Sequence, residues 1–266
     1  MTGVRLRLEE YTGVHPQDHF SAVSTHYAAS RPRYPKALYQ WLAGIAPSHD
    51  RAWDCACGSG QASVDLVEYF AHVVATDLSA QQIREAASHP RIDYRVAVAQ
   101  SSGLSAGSVD LVTVAQALHW FQCEPFYAEV DRVLRPDGVI AVWSYGTGAI
   151  DLESVNAVFQ DFYHNVVGEY WPPERKIVEE GYRSLPFPQP ELSAPRLTME
   201  CDWSLEALIG YVRSWSATAR YIKVRGSDPV PDFQRNMLQC WGDPSIRRRI
   251  CWPLSIRAAR RNSHSH

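Results

Sequence analysis

The residues with the clearest capacity for chemistry are Asp54, Ala56, Cys57, Gly58 and Gly60 in the run Trp53-Asp54-Cys55-Ala56-Cys57-Gly58-Ser59-Gly60-Gln61, followed by Asp77, which closes Val73-Val74-Ala75-Thr76-Asp77. Glycines lack a Cβ, so this loop can take positive φ and let a ligand lie against the backbone, with the amides of a following helix (expected over Gln61 to Phe70) pointing at its electron-rich groups. Asp77, one strand further on, is placed to accept the hydroxyls of a ribose. A nucleoside cofactor is therefore expected. A dinucleotide fingerprint needs a third small residue, and Gly58-x-Gly60-x-x-Ser63 offers a poor one. An acid directly before the glycines has no natural role in that fingerprint.

Asp54-Cys55-Ala56-Cys57-Gly58-Ser59-Gly60 resembles the first motif of class I S-adenosylmethionine-dependent methyltransferases, D-x-G-C-G-T-G, with Ala56 standing at its first glycine. The resemblance runs from about Tyr27 to Ser144 and makes Asp77 the ribose acid, with Leu78 beside it. It places Ala99 and Gln100 around the adenine, with no acid at Val98. The string Tyr27-x-x-x-Arg31-Pro32-x-Tyr34-Pro35 is similar to the N-terminal cap of small-molecule methyltransferases related to trans-aconitate methyltransferase, which implies that Tyr27, Arg31 and Tyr34 line the cofactor pocket. Composition alone would make them ordinary packing residues of a surface turn. Gln116-Ala117-Leu118-His119-Trp120-Phe121 looks like a fourth-motif string of the same group, assigning Gln116 and Trp120 to the cofactor and His119 to catalysis. Without the resemblance, a structural histidine is about equally favoured. Arg135-Pro136-Asp137-Gly138 is similar to the family's turn before the fifth strand.

These residues need a frame. A helix is expected over Lys36 to Ile45, with Leu38, Trp41, Leu42 and Ile45 on one face. Ser79 is a natural N-cap, Ile92 to Val98 alternates as a third strand, and Ser108 to Ala117 is apolar on both faces, as a central parallel strand should be. Glu124 to Leu134 gives the next helix and Val139 to Ser144 the fifth strand. The fold class expected is α/β: a doubly wound, Rossmann-like, mostly parallel sheet with helices on both faces, an N-terminal cap and a helical lid inserted after the fifth strand. The chain divides into a cap (1–47), an S-adenosylmethionine-binding core (48–146), lid and substrate-shaping insertions with the sixth strand (147–246), and a closing strand and tail (247–266). Within the lid, helices are expected over Asp151 to Val167, from Ser204 through Trp215, and over Asp232 to Cys240. A strand is expected over Leu197 to Trp203, and a closing one over Ile250 to Arg257. Aromatic and proline residues crowd the lid at Tyr170-Trp171-Pro172-Pro173, Tyr182 and Leu185-Pro186-Phe187-Pro188, suggesting a pocket wall.

With 266 residues and 45 % hydrophobic content, the chain can bury one sizeable core, and no second independent domain is expected. A net charge of -3 argues against nucleic acid as a partner. No run reaches the roughly 18 apolar residues of a membrane span, and the first residues carry no hydrophobic signal core, so a cytoplasmic location is expected. None of the six cysteines forms a C-x-x-C pair, so no metal site or disulfide framework is suggested, and reduced, mostly buried thiols are expected. Arg247-Arg248-Arg249 and Arg257, Arg260 and Arg261 are read as solvated faces.

The activity these readings favour is methyl transfer from S-adenosyl-L-methionine to a small-molecule acceptor. A carboxylate acceptor needs no base, and Arg31, Arg175, Arg213 or Arg220 could orient it; a phenol, amine or activated carbon needs one, for which His119 has the right range. Family precedent tilts the choice towards O-methylation of a carboxylate or hydroxyl. The alternatives are a nicotinamide-dependent oxidoreductase and a cofactor-binding protein of the same fold without methyl transfer.

Overall fold

The computed structural model describes residues 32–261, so Tyr27 and Arg31 lie outside the described residues. Strands β1 (Arg51–Cys55), β2 (His72–Asp77), β3 (Ile92–Val96), β4 (Val109–Ala115) and β5 (Leu134–Ser144) are parallel, and β9 (Ser255–Arg260) runs antiparallel beside β5, giving the order β3-β2-β1-β4-β5-β9. The strand order reverses at β1, and in open parallel sheets the crevice beyond the carboxyl ends at such a reversal is where ligands bind.

Side-chain alternation sorts the sheet into two apolar faces. Val73, Ala75, Leu111, Val139, Ala141 and Trp143 face one cluster, together with helix α1 (Lys36–Ile45) and most of the lid. Trp53, Val74, Val112, Val114, Ile140 and Val142 face the other, covered by Phe126, Val130 and Val133 of the helix over Cys123–Val133. Strands buried on both sides are mostly apolar, as β1 and β4 are, and the polar residues buried within them, Asp54, Asp110 and Thr113, are each hydrogen-bonded. The lid shares its core with the sheet, since Phe159, Trp215, Met237 and Trp252 belong to the same cluster as Leu38 and Val73.

Several expectations are revised. The helix after the glycines is regular only over Ser63–Leu66, with turns on both sides. The segment expected as one closing strand is two: β8 (Arg248–Pro253) pairs with β7 (Thr198–Trp203) and β6 (Ala149–Ile150) in a separate three-stranded antiparallel sheet, and β9 joins the main one. The break falls at Pro253-Leu254, where proline has no amide to offer and the Leu254 amide donates to the Leu197 carbonyl at 2.9 Å. The lid also holds a helix that periodicity did not suggest, Ser216–Arg225, whose exposed Ile222 and Val224 blur its amphipathic pattern.

The second of the two arginine runs fastens chain segments together. Arg257 donates to the Tyr182 and Leu185 carbonyls at 2.6 and 3.0 Å and pairs with Glu191. Arg260 donates to the Asp137 and Ile45 carbonyls, and Arg261 pairs with Asp131. Buried carbonyls need donors, and a long guanidinium supplies several at once. Finally, the lid leaves the main sheet after Ser144 and rejoins it at Ser255, and these two residues are register partners on adjacent strands.

Candidate functional site

The loop after β1 is a cradle made of backbone. Ala56, Gly58 and Gly60 all have positive φ, at 55°, 56° and 83°. A side chain at Gly58 would meet only Gln82 Oε1 at 3.7 Å, so this side of the loop is open, whereas a Cβ on Gly60 would stand 2.3 Å from the Tyr94 hydroxyl. One glycine faces the crevice; the other lets the loop close onto β3. Ala56 occupies a left-handed conformation that favours glycine, so the departure from the motif is a matter of backbone strain.

Asp77 ties the cradle to β2. Its Oδ2 accepts from the Gly58 amide at 2.8 Å and its Oδ1 from the Ser79 amide at 2.8 Å, fixing a half-buried carboxylate with lone pairs left for a diol. Ser79 accepts from the Gln82 amide as the expected N-cap. Asp54 lies below the loop. It is fully buried, with Ser63 Oγ donating to Oδ2 at 2.6 Å and Thr113 Oγ1 donating to Oδ1 at 2.9 Å, so it buttresses the cradle from within the sheet. Burial pushes its carboxyl up to about 6, although both hydroxyls favour the charged form.

Cys57 is half-buried, its amide donating to the Thr76 carbonyl at 3.0 Å, and burial raises both its thiol and that of Cys55. All six cysteines are free thiols, but only Cys55 is fully buried and the other five are half-buried. Leu78 and Trp120, at the ends of β2 and β4, expose 48 and 45 % of their surface, large for such side chains. Ala99 is half-buried against the second apolar cluster and Gln100 is exposed. The cap reaches the same end: Gln61 Nε2 donates to the Pro32 carbonyl at 2.8 Å, and the buried Tyr34 ring stands edge-on to Trp143 and Tyr145 at 5.5 and 6.4 Å.

Beyond β4 and β5 lies a second region, built from side chains. Gln116 has φ 59° and donates to the Tyr145 carbonyl at 3.2 Å, a strained residue at a strand end. His119 lies 3.4 Å from the Tyr182 hydroxyl through Nδ1, with its ring 4.5 Å from that of Trp120. Burial, with Arg175 adding to it, pulls the His119 imidazole down to about 4, so it is neutral at physiological pH. The lid helix over Arg175–Glu179 seats on the end of β5, where Ser144 Oγ donates to the Val178 carbonyl at 3.1 Å. Its Arg175 donates through Nε to the Tyr163 hydroxyl at 2.6 Å and lies over the rings of Trp171 and Tyr163 at 4.9 and 5.5 Å. Tyr163 sits on a turn of π-helix, Phe162–Val166, which re-aims side chains relative to the α-helix before it. Among the other arginines named above, Arg213 is paired with Asp228 at the surface. Tyr145 and Tyr163 were not foreseen; the only hint was the aromatic density of the lid. Among the described residues no cluster of His, Cys, Asp and Glu could hold a metal ion.

A family model described as a methyltransferase domain matches residues 53–142. A Dictyostelium discoideum protein named as a methyltransferase is 35 % identical over 231 residues, 84 % of this chain and 86 % of its own length. A solved structure from Anaeromyxobacter dehalogenans, described as a type II methyltransferase, shares 46 % identity at a TM-score of 0.84, covering 88 % of this chain and 99 % of that one. The chain belongs to the class I S-adenosylmethionine-dependent methyltransferases. A Saccharomyces cerevisiae protein named as an S-adenosylmethionine-dependent methyltransferase is similar over a shorter stretch, 30 % identical across 46 % of this chain and 45 % of its own length.

The cofactor of this methyltransferase is thus S-adenosyl-L-methionine, and the alternatives of a nicotinamide oxidoreductase or a binding protein without transfer fall away. The residues present fit the cofactor: the loop has an open side at Gly58, and a rigid carboxylate with spare lone pairs stands beside it. When bound, the cofactor supplies a methyl group on a positively charged sulfur.

Proposed function

We propose that this methyltransferase acts on a small molecule, methylating an oxygen of a carboxylate or hydroxyl. The observation that carries this reading is the region beyond β4 and β5, where His119, Tyr182, Tyr163 and Arg175 converge under an aromatic lid. Lid rings packed this closely, with Tyr163 and Trp171 5.0 Å apart and Tyr163 and Trp215 5.4 Å apart, suit a compact acceptor shielded from water. The net charge of -3 speaks against a polyanionic acceptor.

In this reading the open backbone at Ala56, Gly58 and Gly60 takes the amino-acid end of the cofactor, Cys57 helps by tying the loop to β2 through its amide, and Asp77 takes the ribose. Leu78, Ala99 and Gln100 flank the adenine, while Gln116, Trp120 and Tyr34 close the pocket, with Tyr27 and Arg31 joining them from the cap. Asp54 acts from below by holding the loop's shape. An activated methyl sulfonium needs positioning more than activation, so the chain's main task is to hold the acceptor oxygen in line with the methyl carbon and exclude water. Membership of the trans-aconitate-like group and a cytoplasmic location belong to the same proposal.

Calorimetry with S-adenosylmethionine and S-adenosylhomocysteine, followed by labelled methyl transfer into a panel of small acids and phenols, tests it. Turnover on the panel is expected. Binding of cofactor with transfer only to protein or RNA in the same assay would overturn the small-molecule assignment.

A further inference from the structure

We infer that Arg175 is a specificity-determining residue, receiving a carboxylate of the acceptor on its two terminal nitrogens. The inference rests on the small-molecule reading above and names which acceptor chemistry the site selects.

The guanidinium is locked before any ligand arrives. It lies over the Trp171 ring at 4.9 Å and the Tyr163 ring at 5.5 Å, and its Nε is occupied by the Tyr163 hydroxyl at 2.6 Å and by Glu179 Oε1 at 3.3 Å. Stacking fixes the plane and the Nε bonds fix the rotation within it. What remains is the edge carrying Nη1 and Nη2, and among the described residues neither has a hydrogen-bond partner. The compensating acid is weakly placed: Glu179 is more exposed than the arginine, at 38 against 21 %, and the oxygen it turns to Nε also accepts the Tyr163 hydroxyl. A largely buried cation with a rigid, unpartnered two-donor edge is the arrangement that a planar carboxylate completes.

The groups around it favour an acceptor that arrives already ionised. His119, held neutral by burial and by Arg175, is too weak a base to match a phenol, whose own value is near 10. The hydroxyls of Tyr163 and Tyr182 are held protonated by burial, the former pushed up to about 12. A carboxylate needs none of them. One of its oxygens forms the new bond to the methyl carbon as the carbon–sulfur bond breaks, with that bond's electron pair going to sulfur. Negative carboxylate and positive sulfonium become a neutral ester and a neutral thioether, and no proton moves. The ester has lost the charge that held it to Arg175, which promotes its departure.

The test uses the full chain loaded with S-adenosylhomocysteine, whose tryptophan fluorescence reports through Trp171. The probes are carboxylates each paired with its carboxamide: benzoate with benzamide, hexanoate with hexanamide, glutarate with glutaramide. At least one pair should show a preference for the acid of about tenfold or more, as expected when a charge-assisted double contact is lost. Arg175→Gln should erase that preference with S-adenosylhomocysteine affinity unchanged, and Arg175→Lys should keep only part of it. In turnover with methyl-labelled cofactor, the label should leave the product as methanol on mild base treatment.

Equal binding of every acid and amide overturns the inference. So does a preference that survives in Arg175→Gln, or a loss of cofactor affinity in that variant, which would assign Arg175 to the cofactor. Should Arg175→Gln fail to fold, Arg175→Lys carries the same comparison, and an undiminished preference there sinks the idea equally. Transfer to small molecules that yields only base-stable products removes this inference alone, whereas absence of any small-molecule transfer removes the reading beneath it.

Discussion

The cofactor cradle and the acceptor wall are neighbours at the same end of the sheet, yet they are made of different material. The cradle is main chain: three alternate positive-φ residues of the loop and two amides held by Asp77, all between positions 56 and 79. The wall is side chain: Gln116 and His119 from beyond the end of β4, Tyr145 from just past β5, and Tyr163, Arg175 and Tyr182 from the lid. Backbone geometry is dictated by which residues tolerate φ > 0, and this restricts the sequence. A wall of side chains is restricted only by its ligand, so the same scaffold can carry many acceptors.

The contrast breaks if cradle substitutions spare the cofactor or if wall substitutions disturb it. The largest effect is expected from Gly60→Ala, where a Cβ would stand 2.3 Å from the Tyr94 hydroxyl at φ 83°. A thermal or urea unfolding curve should show a loss of about 3 kcal/mol, combining left-handed strain with overpacking. Adding Tyr94→Phe should recover only part, because ring carbons at 2.9 Å remain in the way. Next, Asp77→Ala should weaken S-adenosylhomocysteine binding by roughly 10- to 100-fold in calorimetry, about 1.5 to 3 kcal/mol for charge-assisted bonds. Unchanged affinity there would move the ribose grip elsewhere.

On the wall, His119→Gln should leave cofactor affinity alone and change the pH dependence of stability. The imidazole lies at about 4 in the folded chain against an ordinary 6.5. Between those values the unfolded chain binds more protons, so the histidine makes stability rise with pH across this window and fall on acidification. The variant should lose about 2 kcal/mol of that slope in unfolding curves taken from pH 7 down to 4, after discounting for partial exposure. Asp54 works in the opposite sense. Its carboxyl is raised from 3.8 to about 6, so stability falls as pH climbs through that range, and Asp54→Asn should steepen the net acid sensitivity. The smallest effect is expected from Ala56→Gly, a gain of up to about 1 kcal/mol in stability as left-handed strain is relieved against a more flexible unfolded chain. A loss there would mean that the alanine methyl has a packing role.

The same contrast explains what could be read from the sequence. Gly58, Gly60 and Asp77 were legible because they lie close together and each has one physical job. The doubly wound, mostly parallel sheet was legible from largely apolar runs at β1, β2, β4 and β5 alternating with helical segments, whereas the order of its strands was not. Asp54 was legible as important, but its direction was not: facing Ser63 and Thr113 under the loop, or facing the ligand, leaves the same letters. Arg175 was one of several arginines that could clamp an acid, and only the stacking on Trp171, four residues away, sets it apart. The second sheet escaped notice because β6 is two residues long and β8 runs almost directly into β9, so no turn signal marks where the chain changes sheets. Arg257 and Arg260 looked like surface charge because sequence does not reveal which carbonyls a guanidinium reaches across 75 or 123 positions.

Because Ser144 and Ser255 face each other on adjacent strands, the whole stretch from 145 to 254 departs and returns at a single rung of the ladder. Chain ends so close cost little entropy to join, so this stretch can lengthen, shorten or be replaced while the sheet's pairing stays as it is. Recombination at that rung would yield an enzyme with a new appetite and an old engine.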